Sequence, residues 1–115
     1  MLQLCNKFYQ DADMQEIYYK IEYGKFRYSL KSFHCSEDEQ KLDKLLGLLS
    51  YISQLYQMGI IRKKELEMLR YEFQTVYEYE DIKAYFNTLD KWFQSRMITH
   101  MKFQSFREVG KMLTV

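Results

Sequence analysis

The stretch SEDEQKLDKLLGLLSYISQLYQMGII, residues 36–61, decides the fold. Ser36 followed three residues later by Glu39 is a capping box, in which the hydroxyl accepts a free backbone N–H and the carboxylate reaches back. Glu37 and Asp38 add negative charge where a helix dipole is positive. Leu42, Leu45, Leu46, Leu49, Ile52, Leu55 and Tyr56 recur at three- and four-residue steps and give one apolar face. Gly59 suits the left-handed position that ends a helix, with Ile60 folding back on Leu55 as a Schellman ending does. The spacing therefore predicts a central helix over 36–58. Gly47 lies inside it, beside the leucines, and is expected to admit close approach of another helix.

Working outward, the flanking segments read as shorter helices that need this surface. Leu2, Cys5, Phe8 and Tyr9 stand at helical spacing. Asp13 with Glu16 reads as a second capping box, opening a helix with the stripe Met14, Ile17, Tyr18 and Ile21 and ending at Gly24. Residues 25–35, KFRYSLKSFHC, alternate through Phe26, Tyr28, Leu30 and then Phe33. Alternation can mark a strand, but a lone strand has no partner here, so an aromatic connector that plugs the bundle is expected. A connector of this length inside a small domain also warns of a helical portion. After Gly59, Leu66, Leu69, Phe73 and Val76 form a stripe expected to fold back on the central helix as an αα-hairpin. The phase breaks at 78–81 and restarts as Ile82, Tyr85, Phe86, Leu89, Trp92 and Phe93. Thr99 is the expected cap of a last helix carrying Met101, Phe103, Phe106, Val109 and Leu113, which Gly110 weakens.

The fold class predicted is all-α: a compact bundle of four to five helices around the long central helix, one domain over residues 1–115. The core is expected to hold Ile17, Ile21, Leu42, Leu45, Leu46, Leu49, Ile52, Leu55, Leu66, Leu69, Phe73, Ile82, Phe86, Leu89, Phe93 and Phe106. A chain of 115 residues buries enough surface to fold without disulfide or metal. The absence of proline fits helices throughout. Asp43 and Lys44 interrupt the only long apolar run, which excludes a membrane span. The opening residues MLQLCNKFYQDAD lack the basic start and apolar centre of a signal peptide, so a cytoplasmic location is expected.

Chemistry finds few footholds. Cys5 and Cys35 do not form a disulfide framework and are expected to be buried thiols, behaving as small hydrophobes. Cys5, His34, Cys35 and His100 match none of the close ligand pairs of structural zinc sites, so no metal and no cofactor is expected. His34 beside Cys35 does not make a nucleophile pair, because such pairs are neighbours in space rather than in sequence. Glu78, Glu80 and Asp81 cluster at the break and read as a solvated turn. Four well-separated glycines make no phosphate loop. No catalytic residue is expected.

The distribution of aromatics and charge is more informative. Aromatic residues make up 17% of the chain, with eleven Tyr, eight Phe and one Trp. Most suit the core and its edge, and the remainder suit a partner-binding face. Net charge is only +1, yet residues 72–90 carry five acids and one base while residues 91–115 carry five bases and one acid. The leading expectation is a non-enzymatic protein–protein interaction module, binding a protein partner or itself through Tyr71, Tyr79, Tyr85 and Trp92 with the neighbouring bases Arg96, Lys102 and Arg107. The alternative is a nucleic-acid-binding helical protein using Arg62, Lys63 and Lys64 with the basic C-terminal region, Lys111 included. The turn at Gly59 followed by these bases has the outline of a helix-turn-helix, but Glu65 and Glu67 would then face phosphates.

A resemblance accompanies this reading. Met14, Ile17-Tyr18, Ile21-Glu22-Tyr23-Gly24-Lys25-Phe26, Phe33-His34, Ser36, Glu39, Leu42-Asp43-Lys44-Leu45-Leu46, Tyr56, Gly59-Ile60-Ile61, Phe103 and Phe106-Arg107 resemble a set of small bacterial hypothetical proteins that share a domain of unknown function. The resemblance covers roughly residues 8–107. It implies a compact cytoplasmic helical protein of bacteria or their mobile elements and assigns no catalytic residue; a small regulator or inhibitor of a larger bacterial protein is the form in which the leading expectation is cast.

Overall fold

A computed structural model describes residues 1–114. Among them the regular structure is entirely helical: α1 (Leu2–Gln10), α2 (Ala12–Glu22), α3 (Leu30–Phe33), α4 (Glu37–Gln57), α5 (Lys63–Leu66), a 3-10 turn (Glu67–Leu69), α6 (Arg70–Glu78), α7 (Glu80–Ser95) and α8 (Gln104–Leu113). The all-α class and the long central helix are as the sequence predicts.

Both ends of α4 follow from local chemistry. Ser36 Oγ accepts from Glu39 N–H at 3.1 Å. Glu39 returns its carboxylate to Cys35 N–H at 3.0 Å, one residue earlier than an ideal capping box. Ser36 N–H is already committed to Phe33 carbonyl oxygen at 2.9 Å, which accounts for the shift. At the other end Gly59 adopts φ +80°. Gly59 N–H donates to Tyr56 carbonyl oxygen at 3.0 Å and Ile60 N–H to that of Leu55 at 2.9 Å, the paired bonds of a Schellman motif. The apolar seal is Ile61 rather than Ile60: Ile61 is buried and Ile60 is 61% exposed.

Between these ends α4 buries Leu42, Leu45, Leu46, Leu48, Leu49 and Ile52. Ser50 and Ser53 are buried as well, and Ser53 Oγ donates to Leu49 carbonyl oxygen at 2.7 Å, so its hydroxyl is satisfied within the helix. The main neighbours of α4 are α2 and α8. The expected hairpin with the following long helix is therefore corrected. α5 and the 3-10 turn intervene after Gly59, bury Leu66 and Leu69, and redirect the chain so that α6 packs on α8, α2 and α7.

Four other expectations change. The N-cap of α2 is Asp11, which accepts from Met14 N–H at 3.0 Å, not Asp13. Thr99 does not cap the last helix: α8 starts after Phe103, held at φ 58°. The two interior glycines exchange roles. Gly47 is exposed with open space where a Cβ would project, whereas a Cβ on Gly110 would lie 2.6 Å from the Tyr77 ring. Gly110 is thus the close-packing glycine, and its cost in helix propensity is offset by the approach of α6. Finally, Leu55, Leu89 and Phe93 are only partly buried. The remaining expected core residues are all buried, joined by Cys5, Phe8, Met14, Tyr18, Phe26, Phe33, Leu48, Ile61, Val76, Tyr85, Val109 and Leu113.

Between α2 and α4 the chain turns at residues 23–24, runs without regular structure over 25–29, makes the single turn of α3 and turns again at 34–35. Phe26 and Phe33 plug the core as expected, while Leu30 is 59% exposed. The break between α6 and α7 holds this connector in place. Tyr79, in extended conformation, donates its hydroxyl to Phe26 carbonyl oxygen at 2.6 Å and accepts from Arg27 Nη1 at 2.8 Å. Asp81 accepts from Tyr28 N–H at 2.6 Å. The acidic break is thus a clamp on the connector rather than only a solvated turn.

Candidate functional site

Where the clamped connector meets α4 and α7, a cleft of about 210 Å³ opens. Its walls include Tyr28, Leu30 and Phe33 from the connector, Glu39 and Asp43 from α4, and Tyr85, Leu89 and Trp92 from α7, with His34 and Lys102 at the sides. The floor is an aromatic cluster. Phe33 meets Tyr85 edge-on at 5.0 Å and Tyr28 at 5.3 Å, and Tyr28 lies 5.6 Å from Tyr85. Such offset and edge-on pairs are favourable beyond the area they bury and make a stiff base.

The polar groups of the cleft are mostly tied down. Tyr85 Oη donates to Asp43 Oδ1 at 2.7 Å. Burial, and then the bond to Asp43, push the Tyr85 phenol well above its ordinary pKa, so it remains a donor. Asp43 Oδ2 also faces Lys102 Nζ at 3.6 Å. Tyr28 differs: its hydroxyl is buried and has no hydrogen-bond partner among the described residues. At the mouth, Trp92 is 51% exposed. The Arg96 guanidinium lies 4.9 Å from the Trp92 ring centre, a cation–π contact.

The residues expected to bind a partner divide between this cleft and other roles. Tyr85, Trp92 and Lys102 line it, and Arg96 covers the rim. Tyr79 is engaged in the clamp. Arg107 is turned inward, donating from Nη1 to both Asp90 oxygens at 2.8 and 2.9 Å and stacking 4.2 Å from the Phe86 ring centre. Tyr71 lies elsewhere, on a face shared with α2, where its hydroxyl donates to Glu22 at 3.0 Å and Tyr19 stacks on Tyr23 at 5.9 Å. Leu30, Phe33, Glu39 and Asp43 were not among the expected site residues. Their sequence signals are the alternation of the connector for Leu30 and Phe33, the capping box for Glu39 and the polar step within the leucine stripe for Asp43, none of which points to a surface.

The bases of the nucleic-acid reading are similarly dispersed. Arg62, Lys63 and Lys64 are exposed, but Glu65 accepts from Arg62 N–H at 3.1 Å and closes the start of α5. Lys102 and Arg107 are in ion pairs with Asp43 and Asp90. No helix among the described residues is long and apolar enough to cross a membrane. Comparison with protein-family models, with curated proteins and with solved structures found no match.

Proposed function

We propose that this chain is a non-enzymatic protein-interaction module that holds one apolar side chain of a partner in the cleft between the connector, α4 and α7. The size and lining of the cleft carry the reading. Pockets for small molecules usually enclose ~300–1,000 Å³. The cleft, at about 210 Å³, is smaller, and a single leucine- or phenylalanine-sized group suits it better than a substrate. Half-exposed Trp92 and exposed Leu30 at its mouth resemble the rim of an interface hot spot, where an aromatic anchor is ringed by groups that exclude water. Arg96 beside Trp92 favours an acidic neighbour to the inserted side chain. The resemblance to small bacterial proteins extends the proposal to a bacterial regulator or inhibitor of a larger protein.

Differential capture from a native host tests it. Wild type, Tyr71→Ala and the double variant Leu30→Ser/Trp92→Ala serve as baits, with captured proteins identified by mass spectrometry. The expected outcome is a protein retained by wild type and Tyr71→Ala and lost by the double variant. Equal capture by all three baits, with the double variant folded by circular dichroism, would exclude the cleft.

A further inference from the structure

We propose that His34, Cys35 and Glu39 form a zinc-class metal site at the N-terminus of α4, at the edge of the cleft that His34 and Glu39 also line. One imidazole nitrogen, one thiol sulfur and one carboxylate oxygen lie within 4.8 Å of one another there. Donor atoms around a tetrahedral zinc ion sit roughly 3.3–3.7 Å apart, given its usual bond lengths. About one ångström of closure is needed, and the freely exposed His34 ring, 71% accessible, supplies it by side-chain rotation.

Two local features converge the donors. Consecutive side chains on an extended chain point to opposite sides. Cys35 lies instead in the turn after α3 with φ 64°, a left-handed conformation uncommon outside glycine, and its thiol sits within 4.8 Å of the His34 and Glu39 donors. Glu39 is fixed by accepting from Cys35 N–H through Oε1, which leaves Oε2 facing His34 Nδ1 at 3.8 Å. Binding forms a sulfur–metal bond as the Cys35 thiol proton passes to solvent. The thiolate and Glu39 then balance the dication, and Glu37 and Asp38 offset the positive end of the helix dipole. Three protein donors leave the fourth position to water or to a donor from outside the chain, as in open zinc sites.

Thiol reactivity reads the site directly, because Cys5 is buried as expected whereas Cys35, against the expectation for both thiols, is exposed in the turn after α3. The reduced full chain is treated with a thiol-reactive disulfide, with and without zinc chloride in excess over protein. Zinc is expected to slow Cys35 modification at least ~10-fold, and a chelator to restore it. His34→Ala and Glu39→Gln should each lose that protection, since losing a ligand costs no less than the 10–100-fold of losing an outer-sphere partner. Glu39→Gln keeps an acceptor for Cys35 N–H, so the helix start is preserved. Cobalt(II) added to wild type should give a thiolate-to-metal charge-transfer band, absent in Cys35→Ser. Unchanged reactivity in zinc, protection that survives in either variant, or cobalt binding without the thiolate band would overturn the site.

Discussion

The two longest helices, α4 and α7, start from the same kind of apolar stripe and end in different surroundings. α4 is enclosed along its middle by α2 and α8, and its stripe is buried from Leu42 to Ile52. α7 buries only Ile82, Tyr85 and Phe86, after which Leu89 and Phe93 are half-covered and Trp92 is half-exposed. Hydrophobic periodicity states which face is apolar. Whether a neighbour covers that face depends on how the other elements are routed past it. The uncovered end of α7, laid beside the connector, is what makes the cleft.

Truncation should separate the two helices most sharply. Leu49→Ala or Ile52→Ala is expected to cost ~2–5 kcal/mol in denaturant unfolding, the range for a fully buried large side chain. Leu89→Ala should cost only about 1 kcal/mol, because less area leaves water there on folding. Equal losses would mean that the end of α7 is core and the cleft is closed.

The glycines sharpen the comparison with opposite signs. Gly110→Ala, which drives a methyl into the Tyr77 ring, should destabilise by ~1–3 kcal/mol as overpacking does. Gly47→Ala, in open space on α4, should stabilise by up to ~1 kcal/mol through helix propensity. Melting temperatures of the two variants read the signs directly.

A smaller effect links α4 to α2. Asp11 meets Lys44 at 2.6 Å and caps α2. The bond to Lys44, then that from Met14 N–H, hold the Asp11 carboxyl below its usual pKa. Its folded pKa is depressed, so its contribution to stability is present above the unfolded pKa and is lost as pH falls through the lower folded value. Asp11→Asn, which still caps, should flatten that acid limb of the stability curve, and Asp11→Ala should cost about 1 kcal/mol at neutral pH. Smallest of all, Trp92→Ala should change stability by no more than about 0.5 kcal/mol, as an exposed position does, while reducing partner capture.

Much of α4 is legible in the sequence because caps and periodicity are local. Ser36, Glu39 and Gly59 act within a few residues of themselves, and their bonds form nearly as written. What sequence misjudged is set by distant neighbours. Gly110 looks like a weak point until Tyr77 is placed against it, and Gly47 looks like a contact until no helix arrives there. Arg107 reads as one base of a tail, yet Asp90 and Phe86 draw it inward. Tyr71 and Trp92 read alike in sequence and face different parts of the surface. The cleft was only partly visible, through Tyr85, Trp92 and Lys102, because its other wall belongs to the irregular connector. The proposed donor triad is not legible in the spacing of cysteines and histidines alone, because its third donor, Glu39, reads as a cap.

Amide hydrogen exchange on the chain alone and with its captured partner tests the contrast most directly. Alone, amides in the middle of α4 should exchange only through global unfolding, and those of residues 89–96 through much smaller local openings. With partner bound, added protection should be confined to residues 30–34 and 89–96. Protection gained instead at residues 62–64 or around Tyr71, with residues 89–96 unchanged, would contradict the assignment of function to the open end of α7.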